Sequence, residues 1–316
     1  MTLFSHVTVI GAGVMGHSLA LLFARGGSQV TICDLRQEIL DTAAQKIRRG
    51  LENFDKYEPT SESVEEIFKR ITYSTNTLTA VARSDKVLEV VVENADIKRK
   101  LFHEIAPHVK PGTVIASNTS ALNPFELAPP SLLPHLAMTH YFVPPHLIPL
   151  VEVAGCEETR SDVLEKLRAY LEQIGMVPVV LSGFLPGLLI NRIQRAIFRE
   201  VYSLVESGYV EAAQLDLAVK ASLGLRYPIQ AILQNRDQAG LDSTLKVWKS
   251  QVLGLVNNED PPAILEKMVQ AGDLGLKTGK GFYDYSTRDM EEFTRETEKQ
   301  LFLMRKLMRE TGNLRI

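Results

Sequence analysis

The first half of the chain alternates short apolar runs with longer stretches whose apolar residues recur at helical spacing. The runs are rich in valine and isoleucine, as in the buried strands of a parallel sheet, and lie at 6–10, 29–33, 86–92, 113–116 and 177–180. Between two of them, Leu101, Ile105 and Val109 stand four residues apart, which predicts an amphipathic helix. The alternation predicts an α/β fold with a doubly wound sheet.

The alternation stops at Leu181 to Gly187 (LSGFLPG), after which the pattern is helical. A long helix with an apolar stripe is predicted over Leu189 to Val205. A charged helix is predicted over Thr287 to Arg309, packing either on the core or on a second subunit. We therefore predict a sheet domain at residues 1–184 and an all-α domain at 185–316.

A glycine turn, GAGVMG, follows the first apolar run and carries the first chemical signal. Gly11 permits a tight turn, Gly13 leaves room for a pyrophosphate beside the backbone, and Gly16 lets the next helix pack closely. Asp34 ends the second run, where a carboxylate accepts hydrogen bonds from ribose hydroxyls and repels a 2′-phosphate. These features predict a Rossmann domain that binds NAD rather than NADP. FAD, which uses the same fingerprint, and an ordinary glycine-containing turn are the alternatives.

Composition argues against several classes of function. The 316 residues carry a net charge of −3, so there is no basic excess for nucleic acid. No apolar run reaches the roughly 18 residues of a membrane span, and the first strand begins too early to leave room for a signal peptide. The two cysteines lack CxxC spacing and no metal-ligand cluster is visible, which fits a metal-free protein of the reducing cytoplasm. We expect a small-molecule partner, and neither nucleic acid nor membrane.

Two ionisable residues suggest acid–base chemistry. His140 ends one extended run, and Glu152 lies inside another, where a carboxylate is destabilising unless it has a partner. An imidazole is a natural partner and exchanges protons near neutral pH. The two residues lie across a proline-rich turn, and we interpret them as a catalytic dyad. A structural histidine and a solvent-facing glutamate are the alternative.

Further polar side chains follow neighbouring strands. Glu93 follows the third apolar run, and Ser117 to Ser120 follow the fourth. Because ligands bind at the carboxyl ends of parallel strands, these residues indicate a cleft. The alternative is that the second group caps the following helix. Asn191, in the first turn of the long helix, either faces this cleft or caps its own helix.

Over nearly its whole length to Tyr285, the chain resembles the 3-hydroxyacyl-CoA dehydrogenase family. The shared motifs are VIGAGVMG (9–16), VVVENADIKRKLF (90–102), SNTSAL (117–122), HYFxPP (140–145), LVEV (150–153), PGLLINR (186–192) and GLKTGKGFYDY (275–285). So many motifs in order argue against a flavoprotein.

The resemblance implies a role for each matching residue. His140 is the implied general base, Glu152 orients its imidazole, and Ser120 and Asn191 lie near the reacting oxygen. The implied cofactor-binding residues are Gly11, Gly13, Val14, Met15, Gly16, Asp34, Glu93, Lys98 and Asn118. The resemblance also implies an oxidoreductase of fatty acid metabolism that uses NAD and forms a homodimer through the helical domain.

Departures from the family pattern bear on the substrate. Val143 stands where the family usually has asparagine, and PGL replaces PGF. CoA-using members often carry lysines in the helical hairpin after the second strand, whereas residues 35–70 hold seven basic and eight acidic side chains. With His146 in PPHLIPLVEV, the chain resembles family members that act on small hydroxy acids or alcohols without CoA.

Three functions therefore stay open. One is the NAD-dependent interconversion of the secondary 3-hydroxy group of an acyl-CoA and a ketone. Another is the same chemistry on a small free hydroxy acid or alcohol, of the gulonate, carnitine or pyridine-alcohol type. The third, of another class, is a non-catalytic NAD-binding structural protein.

Overall fold

The protein, seen in a computed structural model that describes residues 2–250 and 253–314, divides into two compact units. The first unit comprises Met1–Leu189 and Glu298–Lys306, and the second comprises Ile190–Thr297 and Leu307–Ile316. The chain thus enters the second unit a few residues after the predicted boundary, and part of its last helix returns to the first unit.

The first unit is built on a sheet of eight strands. These are β1 (His6–Ile10), β2 (Gln29–Cys33), β3 (Ile71–Ser74), β4 (Lys86–Glu89), β5 (Val114–Ser117), β6 (Leu136–Tyr141), β7 (Leu150–Ala154) and β8 (Val177–Val180). Their order is β3-β2-β1-β4-β5-β6-β7-β8, with β6 and β7 antiparallel and the other neighbours parallel. The strand order runs outward from β1 in both directions, so the predicted doubly wound fold is confirmed.

Helices connect these strands. They are α1 (Gly16–Arg25), α2 (Gln37–Tyr57), α3 (Val64–Phe68), α4 (Thr77–Val81), α5 (Ala95–Ile105), α6 (Pro124–Leu127) and α7 (Ser161–Gln173). Val87 packs in one buried cluster with α5, whereas its neighbour Leu88 packs in another with α1, α2 and α7. Since successive strand residues point to opposite faces, the core has one layer on each side of the sheet.

Two details differ from the sequence pattern. β3 and α4 were not predicted, because β3 is a short edge strand paired only with β2 and its four residues show no apolar run. The apolar run at 86–92 forms a strand only as far as Glu89. The Glu89 carboxylate accepts the N–H of Val91 at 2.8 Å, and Val92 is 64% exposed, so the chain leaves the sheet there.

The second unit is helical, as predicted. Its helices are α8 (Leu189–Glu206), α9 (Ala212–Val219), α10 (Ile232–Ala239), α11 (Leu241–Ser250), α12 (Ala263–Gln270) and α13 (Met290–Glu310), of which α8 and α13 extend into the first unit. Among its described residues, only Leu215 is buried, and it is still 9% exposed. The helices therefore leave much apolar surface uncovered within one chain.

Residues 298–306 of α13 pack on the first unit. Phe302 is 1% exposed, and its ring lies 5.0 Å from the ring of Phe54 in α2. Asn53 of α2 donates a hydrogen bond to Glu298 at 2.8 Å. The sequence left open whether this helix contacts the core or a second subunit; this part of it contacts the core.

Neither a membrane span nor a metal site is found among the residues that the structure describes. Within 2–250 and 253–314, no helix combines the length and apolar character needed to cross a membrane. The same residues contain no group of three or more His, Cys, Asp or Glu side chains placed to hold a metal ion.

Lys86, at the start of β4, carries a fully buried amine. The side chain is 0% exposed, and its Nζ lies 4.3 Å from the ring centre of Phe23 and 4.9 Å from that of Tyr170. Nζ has no hydrogen-bond partner among the described residues. Burial lowers the pKa of Lys86 to about 7, and the aromatic faces offset part of the desolvation of its charge.

Lys86→Met should remove a pH dependence from the stability of the protein. The unfolded chain keeps Lys86 protonated up to about pH 10.5 whereas the folded chain releases the proton near pH 7, so stability should rise with pH between these values. One such group contributes a slope of at most about 1.4 kcal/mol per pH unit. Urea unfolding at pH 7 and pH 9 measures it. Lys166→Met, at the half-exposed edge of the same cluster, is the control and should keep the slope. Identical slopes for Lys86→Met and wild type would show that Lys86 is not the source.

Candidate active site

The glycine turn between β1 and α1 is shaped by close backbone contacts. Gly11 has a φ of 108°, and a Cβ there would lie 2.7 Å from the carbonyl oxygen of Val90. A Cβ at Gly16 would lie 1.8 Å from the carbonyl oxygen of Gly11, so the start of α1 needs glycine. A Cβ at Gly13 would meet no described atom within 4 Å. The space beside Gly13 is therefore open to a ligand.

An acidic side chain stands beside this turn. Asp34, directly after β2, accepts the N–H of Ala12 at 2.9 Å through Oδ2. Val14, at the tip of the turn, is 67% exposed, and Met15 is half-buried against the core. The turn and the N-terminus of α1 fit a pyrophosphate, and Asp34 would accept hydrogen bonds from ribose hydroxyls. These residues fit a dinucleotide.

β6 and β7 bring His140 and Glu152 together. The two residues are direct partners in the antiparallel ladder, so their side chains stand on the same face. His140 Nδ1 lies 2.8 Å from Glu152 Oε2, and the side chains are 8% and 0% exposed. The other carboxylate oxygen, Oε1, accepts the backbone N–H of Leu189 at 2.9 Å. Because a carboxylate oxygen can only accept this hydrogen bond, Nδ1 carries the hydrogen. Nε2 is then available to take a proton.

Glu93 organises the loop that carries Ser120. Its Oε1 accepts hydrogen bonds from Thr119 Oγ1 at 2.5 Å and from the backbone N–H groups of Ser120 and Ala121, both at 3.0 Å. Its Oε2 lies 3.3 Å from Lys98 Nζ. Partial burial alone would raise the pKa of Glu93, but these hydrogen bonds and the lysine charge bring that pKa below its usual range. The carboxylate therefore stays ionised and fixes the loop.

Asn118 ties the loop after β5 to β6. Its Oδ1 accepts the N–H of Tyr141, the residue after His140, at 2.8 Å, and its own N–H donates to the carbonyl oxygen of Glu89 at 2.9 Å. Contact between Asn118 and the cofactor stays a prediction. Asn191 lies in the first turn of α8 within the second unit, and its approach to the reacting oxygen also stays a prediction.

Glu89 is a buried carboxylate that the sequence analysis missed. It is 0% exposed, and its two oxygens bind Lys98 Nζ at 2.7 Å and Ser117 Oγ at 2.5 Å. Lys98 and Ser117 are themselves 1% and 0% exposed. The signal was available, because Glu89 interrupts an apolar run just as Glu152 does. The network joins the ends of β4 and β5 beneath the loop of Ser120.

Comparison with known proteins gives this chain its relatives. The NAD binding domain of 3-hydroxyacyl-CoA dehydrogenase matches residues 6–183, and the C-terminal domain matches residues 187–285. The chain is 34% identical, over 279 residues, to a probable 3-hydroxybutyryl-CoA dehydrogenase of Deinococcus radiodurans, covering 88% of this chain and 99% of the relative.

A second relative matches almost the entire chain. It is the 5-formyl-3-hydroxy-2-methylpyridine 4-carboxylate 5-dehydrogenase of Mesorhizobium japonicum, 28% identical over 305 residues, which are 96% of this chain and 98% of the relative. A crystal structure of a dehydrogenase for this pyridine compound, an NAD⁺-dependent dismutase, superposes with a TM-score of 0.88 at 27% identity, covering 96% of this chain and 98% of that one. The predicted NAD cofactor is thereby confirmed.

Gly13→Ala should weaken NADH binding without weakening the fold. The new methyl group would enter space that is open in the protein but needed by a pyrophosphate close to the backbone. We expect the Kd for NADH to rise about tenfold, equal to about 1.4 kcal/mol, with an unchanged melting temperature. Fluorescence titration and thermal unfolding measure the two quantities. Gly183→Ala, whose methyl group would also meet no described atom within 4 Å, is the control. Wild-type NADH affinity in Gly13→Ala would contradict this placement of the pyrophosphate.

Proposed function

The chain belongs to the 3-hydroxyacyl-CoA dehydrogenase family, and on that premise we propose that it interconverts a hydroxyl and a carbonyl group on a small compound without CoA. His140 is the proposed general base and acid, and Glu152 orients and stabilises its imidazole. The observation that carries this proposal is the buried 2.8 Å contact between His140 Nδ1 and Glu152 Oε2, which directs Nε2 away from the carboxylate.

In the proposed mechanism the protein moves one proton. Bound NAD⁺ supplies the hydride acceptor. As the hydride leaves the carbinol carbon, the hydroxyl proton passes to His140 Nε2 and the carbon–oxygen double bond forms. The resulting imidazolium keeps its Nδ1 hydrogen bond to Glu152, whose negative charge stabilises it. In the reverse direction the imidazolium returns the proton to the forming hydroxyl.

The other predicted site residues complete the proposal. Ser120 and Asn191 are proposed to donate hydrogen bonds to the reacting oxygen, and Asn118 to lie near the nicotinamide. Glu93 and Lys98 are proposed to lie on the cofactor side; the contact of Lys98 with Glu93, and of Glu93 with the N–H of Ser120, supports this loop.

The helical hairpin of α2 and α3 supports a substrate without CoA. Two of the seven basic side chains in residues 35–70 form ion pairs within the first unit, Arg48 with Glu65 and Arg70 with Glu62, and acidic side chains outnumber the basic ones in this segment. A phosphate-binding surface needs basic groups directed at the ligand. Coverage points the same way, because the pyridine-carboxylate relative matches 96% of this chain and the hydroxybutyryl-CoA relative 88%.

A 3-hydroxyacyl-CoA substrate is the second candidate. The higher identity of 34% to the probable 3-hydroxybutyryl-CoA dehydrogenase favours it. A non-catalytic NAD-binding protein is the third candidate, and the buried pairing of His140 with Glu152 argues against it, because such a pair is destabilising to maintain without a function.

We propose a cytoplasmic location on the basis of two cysteines that form no disulfide bond. Cys33 and Cys156 are both unpaired. Burial raises the pKa of the Cys33 thiol to about 12, which keeps it an unreactive thiol. Unpaired cysteines are typical of a reducing compartment.

We propose that a second copy of the chain covers the apolar helices of the second unit. Trp248 is 81% exposed, Leu233 78% and Leu225 70%. Large exposed apolar side chains of this kind are typical of an interface, and symmetric pairing of two copies is its commonest form.

A substrate panel on wild type and His140→Ala tests the function. We expect NAD⁺-dependent turnover of a free hydroxy acid or hydroxymethyl compound, from a panel of 3-hydroxy acids, carnitine, gulonate and pyridine carboxylates. Acetoacetyl-CoA with NADH should give little turnover. His140→Ala should lower turnover by about 10²- to 10⁴-fold, because a positioned general base supplies that factor. Absorbance at the NADH band follows every reaction.

The control is NADH affinity, which should be the same in His140→Ala and wild type. Efficient turnover of acetoacetyl-CoA alone would replace the proposed substrate class with the second candidate. Normal turnover by His140→Ala would remove His140 from the mechanism. NADH binding without turnover of any compound would favour the third candidate.

Light scattering tests the second copy. Wild type should have twice the mass of one chain, and Trp248→Glu should shift the protein toward the monomer because a charge cannot be buried there without a partner. Leu35→Glu, at an even more exposed apolar position of the first unit, is the matched control and should leave the dimer intact. A monomeric wild type would refute the proposed dimer.

A further inference from the structure

Arg305, near the end of α13, binds two parts of the first unit through one guanidinium group. Nε and Nη2 donate to the two carboxylate oxygens of Glu58, at 3.0 and 2.6 Å. Nη1 donates to the carbonyl oxygens of His146 and Leu147, at 2.7 and 3.3 Å. Arg305 is 6% exposed, so these bonds form away from solvent. A planar fork with several donors suits such a bridge, and lysine would not reproduce it.

The two carbonyl groups belong to residues 142–149, which connect β6 to β7. This connection, hereafter the β6–β7 connection, joins the strands that carry His140 and Glu152. It begins with Phe142, whose ring lies 4.6 Å from that of His140, and continues with Val143, which is 65% exposed. The connection therefore lies next to the imidazole and presents the Phe142 ring beside it.

Inside the connection, the chain folds back on itself. The N–H groups of Leu147 and Ile148 donate to the carbonyl oxygen of Pro144 at 2.9 and 3.0 Å. Each of these N–H groups shares a peptide group with the carbonyl of the preceding residue, which points the opposite way. Because the N–H groups point into the turn, the carbonyl groups of His146 and Leu147 point out of it and depend on a donor from another element. Arg305 supplies it. His146 and Leu147 are 8% and 1% exposed, so water has little access to replace the arginine.

Apolar packing holds the arginine in place. The guanidinium carbon lies 5.4 Å from the ring centre of Phe54 and 5.3 Å from that of Phe302. The His146 ring packs edge-on against Phe54, with centroids 5.9 Å apart. The end of α2, the β6–β7 connection and residues 298–306 thus form one buried cluster.

We propose that Arg305 is a positioning residue for the substrate site: it anchors the β6–β7 connection, and through Phe142 and Val143 it shapes the space next to His140. This inference rests on the proposed function of His140. It gives residues beyond 285, where the family match ends, a part in substrate binding. The dyad geometry should survive loss of Arg305, because the β6–β7 ladder holds it independently.

The test uses Arg305→Lys and Arg305→Met in the full chain. Each should raise KM for the substrate found in the panel about tenfold, equal to about 1.4 kcal/mol, because two buried carbonyl groups lose their donor. The kcat and the Kd for NADH should stay near wild type, since neither the dyad nor the glycine turn is altered. Arg295→Met, an exposed arginine of the same helix, is the matched control and should change none of these quantities.

Hydrogen exchange provides a readout that does not depend on activity. The amides of Leu147 and Ile148 should exchange about tenfold faster in both Arg305 variants, because the turn they close is no longer anchored. Arg295→Met should keep wild-type exchange. Arg305→Lys retains the charge and the aliphatic stem, so it provides a folded variant if Arg305→Met does not fold.

The outcomes separate this inference from the proposed function. Unchanged exchange at Leu147 and Ile148 would overturn the anchoring role whatever the activity. Faster exchange or a lower melting temperature with an unchanged KM would make Arg305 a structural residue only and would also overturn the proposal. Failure of the proposed function would appear instead as normal turnover by His140→Ala.

Discussion

The pairing register of β6 and β7 is the constraint on which the candidate site depends. In this register an imidazole and a carboxylate stand directly opposite each other on one face. A slip by one residue would send them to opposite faces and leave Glu152 buried without its partner. The other carboxylate oxygen accepts the N–H of Leu189, so the same side chain also binds the first residue of α8. The strand register, the His140–Glu152 pair and this helix end therefore meet at one carboxylate.

The ends of the neighbouring strands also carry carboxylates that need partners. Glu89 and Glu93 bring negative charge to the carboxyl edge of the sheet, and Lys98 lies within 2.7 and 3.3 Å of their oxygens. Ser117 also donates a hydrogen bond to Glu89, and the backbone N–H of Ser120 donates one to Glu93. Buried polar groups with a full set of partners are rigid. The loops at this edge are thus held in place by the protein itself, which favours precise positioning of a ligand.

Much of the fold could be predicted because its signals are local. The first strand, the glycine turn, α1 and the second strand follow one another within 28 residues, each with its own period or turn residues. β3 escaped prediction because a four-residue edge strand is defined by its pairing with β2 rather than by its own pattern. The apolar run at 86–92 predicts a longer strand than the structure has. The strand ends at Glu89, because the Glu89 side chain accepts the N–H of Val91 in place of a neighbouring strand.

The sequence by itself determined the family and the NAD cofactor and supplied the candidate acid–base residues, because motifs and periodicity reside in short stretches of chain. The tertiary structure decided which groups neutralise the buried charges. Glu89 binds Lys98 and Ser117, 9 and 28 residues away, and Glu58 binds Arg305, 247 residues away. A buried carboxylate requires a partner, but no local pattern states which distant residue packing will bring to it. That is why Arg305, outside every recognised motif, became visible only in three dimensions.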